Sequence, residues 1–110
     1  MAGKFELYKS TNEQLRFRLK AGNGEIILSS EAYETKSGAT NGIESVKTNA
    51  PDDARYERKT GSNNQPFFVL KARNGEPLGR SELYSSASAM ENGIESVKKN
   101  APDARIEDLT

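Results

Sequence analysis

The chain has 110 residues, and 16 lysines and arginines balance 16 aspartates and glutamates, so it fits one domain without the net charge of a general nucleic-acid binder. It contains no histidine and no cysteine, which argues against triad catalysis, thiolate zinc sites and any other metal centre, and we predict no cofactor. No segment approaches the roughly 20 apolar residues of a membrane span, and no apolar run follows Lys4, so we expect a cytoplasmic protein.

Three strands are predicted at the start of the chain. The apolar residues of Phe5–Tyr8 indicate the first strand, which ends at a polar turn through residues 10–12. Apolar and basic residues alternate strictly over Leu15–Lys20, the period of a strand with one buried face. The Asn-Gly pair at 23–24 then predicts a type I′ hairpin turn, and the apolar residues 26–28 predict the third strand.

A helix is predicted from Ser37, because Ala39, Ile43, Val46 and Ala50 follow one another at spacings of four, three and four residues. The Asn-Ala-Pro sequence at 49–51 ends it, since the residue before a proline is disfavoured in the α region. Gly42 costs this helix about 1 kcal/mol in propensity, which a close approach of the helix to the sheet would explain. Residues 55–57 then predict a last strand, so the unit reads β-β-β-α-β.

The same unit occurs twice. Shifting the chain by 51 positions aligns Asn41–Lys47 with the identical Asn92–Lys98, and the match extends over most of the chain. The pair Tyr56-Glu57 aligns both with Ile106-Glu107, at the end of a unit, and with Phe5-Glu6, at the start of one. A strand shared in this way, without a linker, indicates one continuous sheet. We therefore predict a single domain over 1–110, made of two packed repeats at about 4–56 and 56–108.

This arrangement resembles the YegP-like family of small bacterial proteins. The resemblance rests on an Asn-Gly hairpin, a Ser-Glu-x-Tyr segment and a Gly-Ile-x-Ser-Val-Lys helix in tandem copies, and it covers residues 5–107. It implies an α+β fold in which two β-β-β-α-β repeats form one largely antiparallel sheet, with two helices on one face and the C-terminal strands exchanged between repeats. It implies no activity, because the family brings no assigned catalytic residues, cofactor or ligand.

The Ser-Glu-x-Tyr segments are the candidate catalytic positions. Glu31 with Tyr33, and Glu82 with Tyr84, place a carboxylate near a phenol at each junction between strand and helix. Such a pair could act as acid and base. We favour a structural interpretation, in which serine and glutamate serve the turn and the tyrosine ring packs with its hydroxyl at the rim. We therefore predict no catalytic residues.

The sheet face away from the helices is the candidate binding face. If Phe17 and Leu19 face the helices, the residues that alternate with them face outwards. The predicted face consists of Tyr8, Arg16, Arg18, Lys59, Phe67 and Val69. Exposed arginine and aromatic side chains are typical of protein interfaces and of platforms for single-stranded nucleic acids. The alternative is that this face packs in a homodimer or is more buried than the alternation suggests.

Our functional hypothesis is a protein-interaction module without enzymatic activity, which uses the open sheet face to engage a protein partner. The alternatives are a binder of a small ligand or of single-stranded nucleic acid on the same face, and an enzyme using the Glu/Tyr pairs. Zero net charge disfavours nucleic acid. We expect no membrane partner, and a monomer with pseudo-twofold symmetry rather than a homodimer.

Overall fold

The computed structural model describes residues 3–110, which form seven strands and two α-helices. The strands are β1 (Lys4–Lys9), β2 (Leu15–Lys20), β3 (Ile26–Ser30), β4 (Tyr56–Thr60), β5 (Pro66–Lys71), β6 (Pro77–Arg80) and β7 (Arg105–Asp108), and the helices are α1 (Lys36–Asn49) and α2 (Ala87–Asn100). Thr35 and Ser86 cap the helices by accepting a hydrogen bond from the backbone three residues later. Neither helix is long and apolar enough to cross a membrane.

All seven strands belong to one sheet, in the order β4-β5-β6-β3-β2-β1-β7. Neighbouring strands are antiparallel except β1 and β7, which pair in parallel with Lys4 opposite Arg105 and Leu7 opposite Asp108. The last strand of the second repeat therefore completes the first repeat, and β4, the last strand of the first repeat, pairs with β5 of the second. The predicted α+β class and the exchange of C-terminal strands are confirmed.

The two repeats meet at the centre of the sheet, where β3 pairs with β6. Ser29 lies opposite Arg80, and these residues are 51 positions apart, so a pseudo-twofold axis passes between them. The equivalent positions just before them are Leu28 and Gly79. A Cβ atom on Gly79 would lie 2.9 Å from Cγ of Leu28 and 2.9 Å from the carbonyl oxygen of Ser29. The repeats therefore differ at this position because two large side chains would collide beside the axis.

One hydrophobic core, built from both repeats, lies between the sheet and the two helices. Its largest fully buried members are Phe5, Phe17, Leu19, Leu28, Ile43, Val46, Phe68, Leu70, Ile94 and Val97. Burying each such side chain stabilises the fold by about 1.5–3 kcal/mol before entropy is counted. The predicted helical stripe is thus the face that packs on the sheet.

The predicted type I′ turn at residues 23–24 is wrong. Gly24 has a φ of 89°, but Asn23 is not among the residues with positive φ. Hydrogen bonds from Ala21 N–H to Glu25 C=O (2.8 Å) and from Gly24 N–H to Ala21 C=O (2.9 Å) instead close a three-residue loop. Such a loop needs the left-handed conformation only at its last residue, and Gly24 supplies it without steric cost.

The first hairpin of each repeat contains left-handed residues that are not glycine. Asn12 and Glu13 have φ values of 63° and 58°, and the equivalent Asn63 and Asn64 have 57° and 59°. Asparagine tolerates this conformation better than glutamate. We expect Glu13→Asn to stabilise the protein by about 0.5 kcal/mol and Asn64→Glu to destabilise it similarly. Urea denaturation of both variants checks this, and two effects of the same sign would contradict it.

Candidate interaction face

The structure places the six predicted face residues on the sheet side opposite the helices. They form two groups of three at equivalent positions of the repeats: Tyr8, Arg16 and Arg18 on β1 and β2, and Lys59, Phe67 and Val69 on β4 and β5. Strands β3 and β6 lie between the groups. The face therefore presents two patches around the pseudo-twofold axis rather than one continuous site.

Two of the three residues of the first patch, Tyr8 and Arg18, make internal contacts. The Arg18 guanidinium lies 4.6 Å from the centroid of the Tyr8 ring, and its Nε donates a hydrogen bond of 2.7 Å to Oε1 of Glu6. Lys20 and Lys4 also contact this carboxylate, with Nζ atoms at 3.2 Å and 3.5 Å from its oxygens. Glu6 is only 4% exposed. Three cations thus surround one buried carboxylate, which offsets only one of their three charges.

The surroundings of Glu6 determine its pKa. Burial disfavours the charged form and raises the pKa, but the hydrogen bonds from Arg18 and Lys20 outweigh burial and hold the pKa below its usual value. The equivalent residue in the second repeat, Glu57, is half-buried. A hydrogen bond from Lys71 lowers the pKa of Glu57. The two repeats thus provide a buried and a more exposed version of the same ion pair.

In the second patch an exposed arginine covers a buried aromatic ring. The Phe67 side chain is 9% exposed and lies outside the core cluster, and the Arg80 guanidinium covers it with Cζ at 5.1 Å from the ring centroid. The prediction of an exposed Phe67 ring is therefore wrong, because the ring is buried under Arg80. Val69, opposite Arg80 in the register, is half-buried. Arg80 was not among the predicted face residues, although pairing β5 with β6 across the hairpin would have placed it beside Val69.

A shallow cavity of about 280 Å³ lies on this second patch. Its apolar walls come from Phe67, Val69 and Pro77, and its cations are Lys59, Lys71 and Arg80. Glu31 also contributes to the lining. An apolar surface bordered by cations suits a partner that carries both apolar and acidic groups.

Two arginines on the open face have no carboxylate partner. Arg16 and Arg80 are exposed, and neither takes part in the ion pairs formed among residues 3–110. Arg16 makes only a long hydrogen bond of 3.5 Å to the Ser30 carbonyl. These two guanidinium groups can therefore bind an external acidic group without first breaking an internal ion pair.

The serines of the Ser-Glu-x-Tyr segments make hydrogen bonds to the backbone of neighbouring residues. The Ser30 hydroxyl accepts a hydrogen bond from Phe17 N–H (2.8 Å) and donates one to Glu31 C=O (2.7 Å). Ser81 makes the same two contacts in the second repeat, to Phe68 at 3.0 Å and Glu82 at 2.9 Å. Each serine thus satisfies a buried backbone donor where regular strand pairing ends.

The tyrosines of these segments pack against the helices. The Tyr33 ring stacks on Phe17 with centroids 6.0 Å apart, and Tyr84 stacks on Phe68 at 6.4 Å. Burial, assisted by the nearby Glu31 and Glu82 carboxylates respectively, raises the pKa of each tyrosine above its ordinary value. A phenol with a raised pKa is a poorer proton donor at neutral pH. Within residues 3–110, no group of three or more acidic side chains could hold a metal ion.

The helix glycines make room for these tyrosines. A Cβ atom at Gly42 would lie 2.8 Å from Cζ of Tyr33 and 3.0 Å from Cε2 of the fully buried Phe17. At Gly93 the corresponding distances are 2.7 Å to Tyr84 and 3.3 Å to Phe68. The close approach of helix to sheet that the sequence suggested is therefore present.

We expect Gly42→Ala to destabilise the protein by about 1–2 kcal/mol, because the overpacking cost exceeds the gain in helix propensity. Gly93→Ala is expected to cost less, because Phe68 stands further from the added methyl group. Urea denaturation followed by circular dichroism measures both effects. A Gly42→Ala variant more stable than the wild type would show that helix and sheet are not in close contact there.

The fold and the open face define a class of protein: a tandem-repeat α+β protein with one exchanged sheet and helices on a single face. The chain belongs to the family described as "Domain of unknown function (DUF1508)", whose model matches it twice, over residues 10–57 and 62–108.

The chain is similar to bacterial proteins of the UPF0339 group over its whole length. It is 54% identical over 110 residues to a UPF0339 protein of Shewanella oneidensis and 51% identical over 110 residues to the UPF0339 protein YegP of Escherichia coli, covering 100% of each. The solution NMR structure of UPF0339 protein SO3888 from S. oneidensis superposes with a TM-score of 0.94 at 55% identity, covering 100% of this chain and 93% of that one. The resemblance to the YegP-like family is thus confirmed, and the comparisons indicate no specific function.

Proposed function

We propose that this protein is a non-enzymatic interaction module whose open sheet face binds an acidic surface of a partner protein. The observation that carries the proposal is the unpaired Arg80 guanidinium, exposed over Phe67 at the edge of the shallow cavity. Arg16 adds a second unpaired cation on the same face. Arginine is one of the residues enriched among the side chains that contribute most to binding at protein interfaces.

A protein partner is favoured over single-stranded nucleic acid. Binding of single strands relies on aromatic rings on which bases can stack. The Tyr8 and Phe67 rings are each covered by an arginine of this chain, Arg18 and Arg80, so neither ring offers a free stacking surface. The guanidinium groups remain available for carboxylates, which they bind in a bidentate fashion.

The contacts of the Ser-Glu-x-Tyr side chains support a structural role for them over a catalytic one. Tyr33 and Tyr84 are held by packing on the helix glycines, and their pKa values are raised. The serines there are used in backbone hydrogen bonds. These side chains have structural contacts that account for them without a substrate.

The test is affinity capture from a lysate of the native host, with each sample divided into nuclease-treated and untreated halves. The baits are the wild type, Arg16→Glu/Arg80→Glu on the open face, and the matched charge reversal Lys9→Glu/Lys99→Glu, at two exposed lysines away from the cavity. We expect a protein recovered with the wild type and the matched variant, reduced about tenfold with the face variant and unaffected by nuclease.

Two results would overturn the proposal. Equal recovery with the face variant and its matched control would show that the open face is not used. Recovery abolished by nuclease would favour the nucleic-acid alternative instead. Circular dichroism of each bait establishes that loss of binding is not loss of folding.

A further inference from the structure

One edge of the sheet is left open by the duplication itself. Strand β1 is covered on its outer side by β7, whereas its equivalent in the second repeat, β4, ends the sheet and has no outer neighbour among residues 3–110. The asymmetry arises because β4 serves both as the last strand of the first repeat and as the first strand of the second. The position beside β4 that is equivalent to the position of β7 beside β1 is therefore unoccupied among residues 3–110.

The backbone groups at this edge match those that bind β7. In β1, the Leu7 carbonyl accepts a hydrogen bond of 2.8 Å from Leu109 N–H. The residue equivalent to Leu7 is Arg58. Gly61 N–H donates a hydrogen bond to the Gln65 carbonyl, on the β5 side of the hairpin. The backbone groups of successive residues in a strand point to opposite sides, so those of Arg58, three residues before Gly61, point away from β5. Arg58 N–H and C=O therefore stand where Leu7 binds its strand.

The side chains at this edge are basic where those of β1 are not. Arg58 and Lys59 replace Leu7 and Tyr8, and both are exposed. Arg58 contacts Asp53 and Glu91, whereas the ion pair of Lys59 is a long one of 3.8 Å to Glu57. An acidic side chain on an added strand would therefore be attracted most strongly by Lys59, whose charge is the less neutralised of the two.

We propose that β4 binds an extended acidic segment of a partner protein as a parallel eighth strand, in the register in which β7 binds β1. Main-chain hydrogen bonds to Arg58 supply the docking, as in other cases of strand addition. An acidic side chain at the position facing Lys59 supplies the selectivity. A second copy of this chain is disfavoured as the occupant, because basic side chains on an edge strand oppose pairing between edges.

The test is a ¹⁵N NMR titration of the full chain with a synthetic peptide of residues 104–110 carrying Leu109→Asp. We expect the amides of Arg58 and Thr60 to shift and their hydrogen exchange to slow. A peptide with proline at position 109 removes the donor to the Arg58 carbonyl and is expected not to bind. Lys59→Glu in the protein is expected to weaken binding at least about fivefold, and the matched Lys99→Glu to leave it unchanged.

Three outcomes would overturn the proposal. They are unchanged β4 amides at millimolar peptide, equal shifts with the proline peptide, and shifts at β1 showing that the peptide merely displaces β7. A concentration-dependent dimer that protects the β4 amides without peptide would identify a second copy as the occupant and also refute the acidic segment. The open-face variant Arg16→Glu/Arg80→Glu is expected to bind the peptide normally, so this test and that of the open face are independent.

Discussion

A leucine at position 79 is expected to destabilise the protein by about 3 kcal/mol, within the range observed for overpacked cores. Gly79 lies on β6 beside the pseudo-twofold axis, where its Cβ would stand 2.9 Å from Cγ of Leu28 and 2.9 Å from the Ser29 carbonyl oxygen. Leu28 is 1% exposed and has no room to withdraw. Chemical denaturation of Gly79→Leu measures the cost.

The matched control exchanges the two residues. Leu28→Gly alone is expected to cost about 3 kcal/mol through the cavity that it leaves. The double variant Leu28→Gly/Gly79→Leu moves the large side chain to the other repeat and keeps the total volume. We expect it to be about 1 kcal/mol more stable than the sum of the single effects predicts, because Leu28→Gly removes the clash with the side chain but not the contact with the Ser29 carbonyl oxygen. Simple additivity would contradict the interpretation that the two positions compete for one space.

Glu6→Gln is expected to destabilise the protein by about 2 kcal/mol at pH 7, less than for a fully buried ion pair because Arg18 and Lys20 are partly exposed. The substitution keeps the shape of the side chain but leaves three cations without their shared carboxylate. Glu57→Gln, at the equivalent and more exposed position, is the matched control and is expected to cost less than half as much. Equal effects of the two substitutions would contradict this account of the buried cluster.

The stabilisation by Glu6 also depends on pH. Its pKa is lower in the folded protein than in the unfolded chain, so its contribution is complete above the unfolded value of about 4.3 and is lost as the pH falls towards the folded value. The stability difference between wild type and Glu6→Gln should therefore narrow as the pH drops below about 4.3. Urea denaturation over a pH series measures this, and a difference that widens in acid would refute it.

The architecture could be predicted from the sequence because aligning the two repeats shows which strand they share. The double alignment of Tyr56-Glu57 indicated a shared strand, and the structure has β4 as the end of one repeat and the start of the next. The alternation over Leu15–Lys20 indicated which side chains face the core and which face away from the helices. Both signals are local or follow from the repeat, so they can be detected in one chain.

The details of the open face could not be predicted in this way. The stacking of Arg80 on Phe67 depends on the register between β5 and β6. The burial of Glu6 depends on cations from two strands, and the contrast between Leu28 and Gly79 depends on the position of the pseudo-twofold axis. The turn at residues 21–25 was mispredicted because Gly22 lengthens the loop by one residue.

The most direct test of the open face is site-specific photo-crosslinking in the native host. A photoreactive residue replaces either Pro77, exposed in the lining of the cavity, or Lys99, exposed on α2. Our account predicts a discrete protein adduct from position 77 that survives nuclease and disappears when Arg16→Glu/Arg80→Glu is added, and no such adduct from position 99. An adduct from position 99 alone, or one from position 77 that persists in the arginine variant, would contradict it.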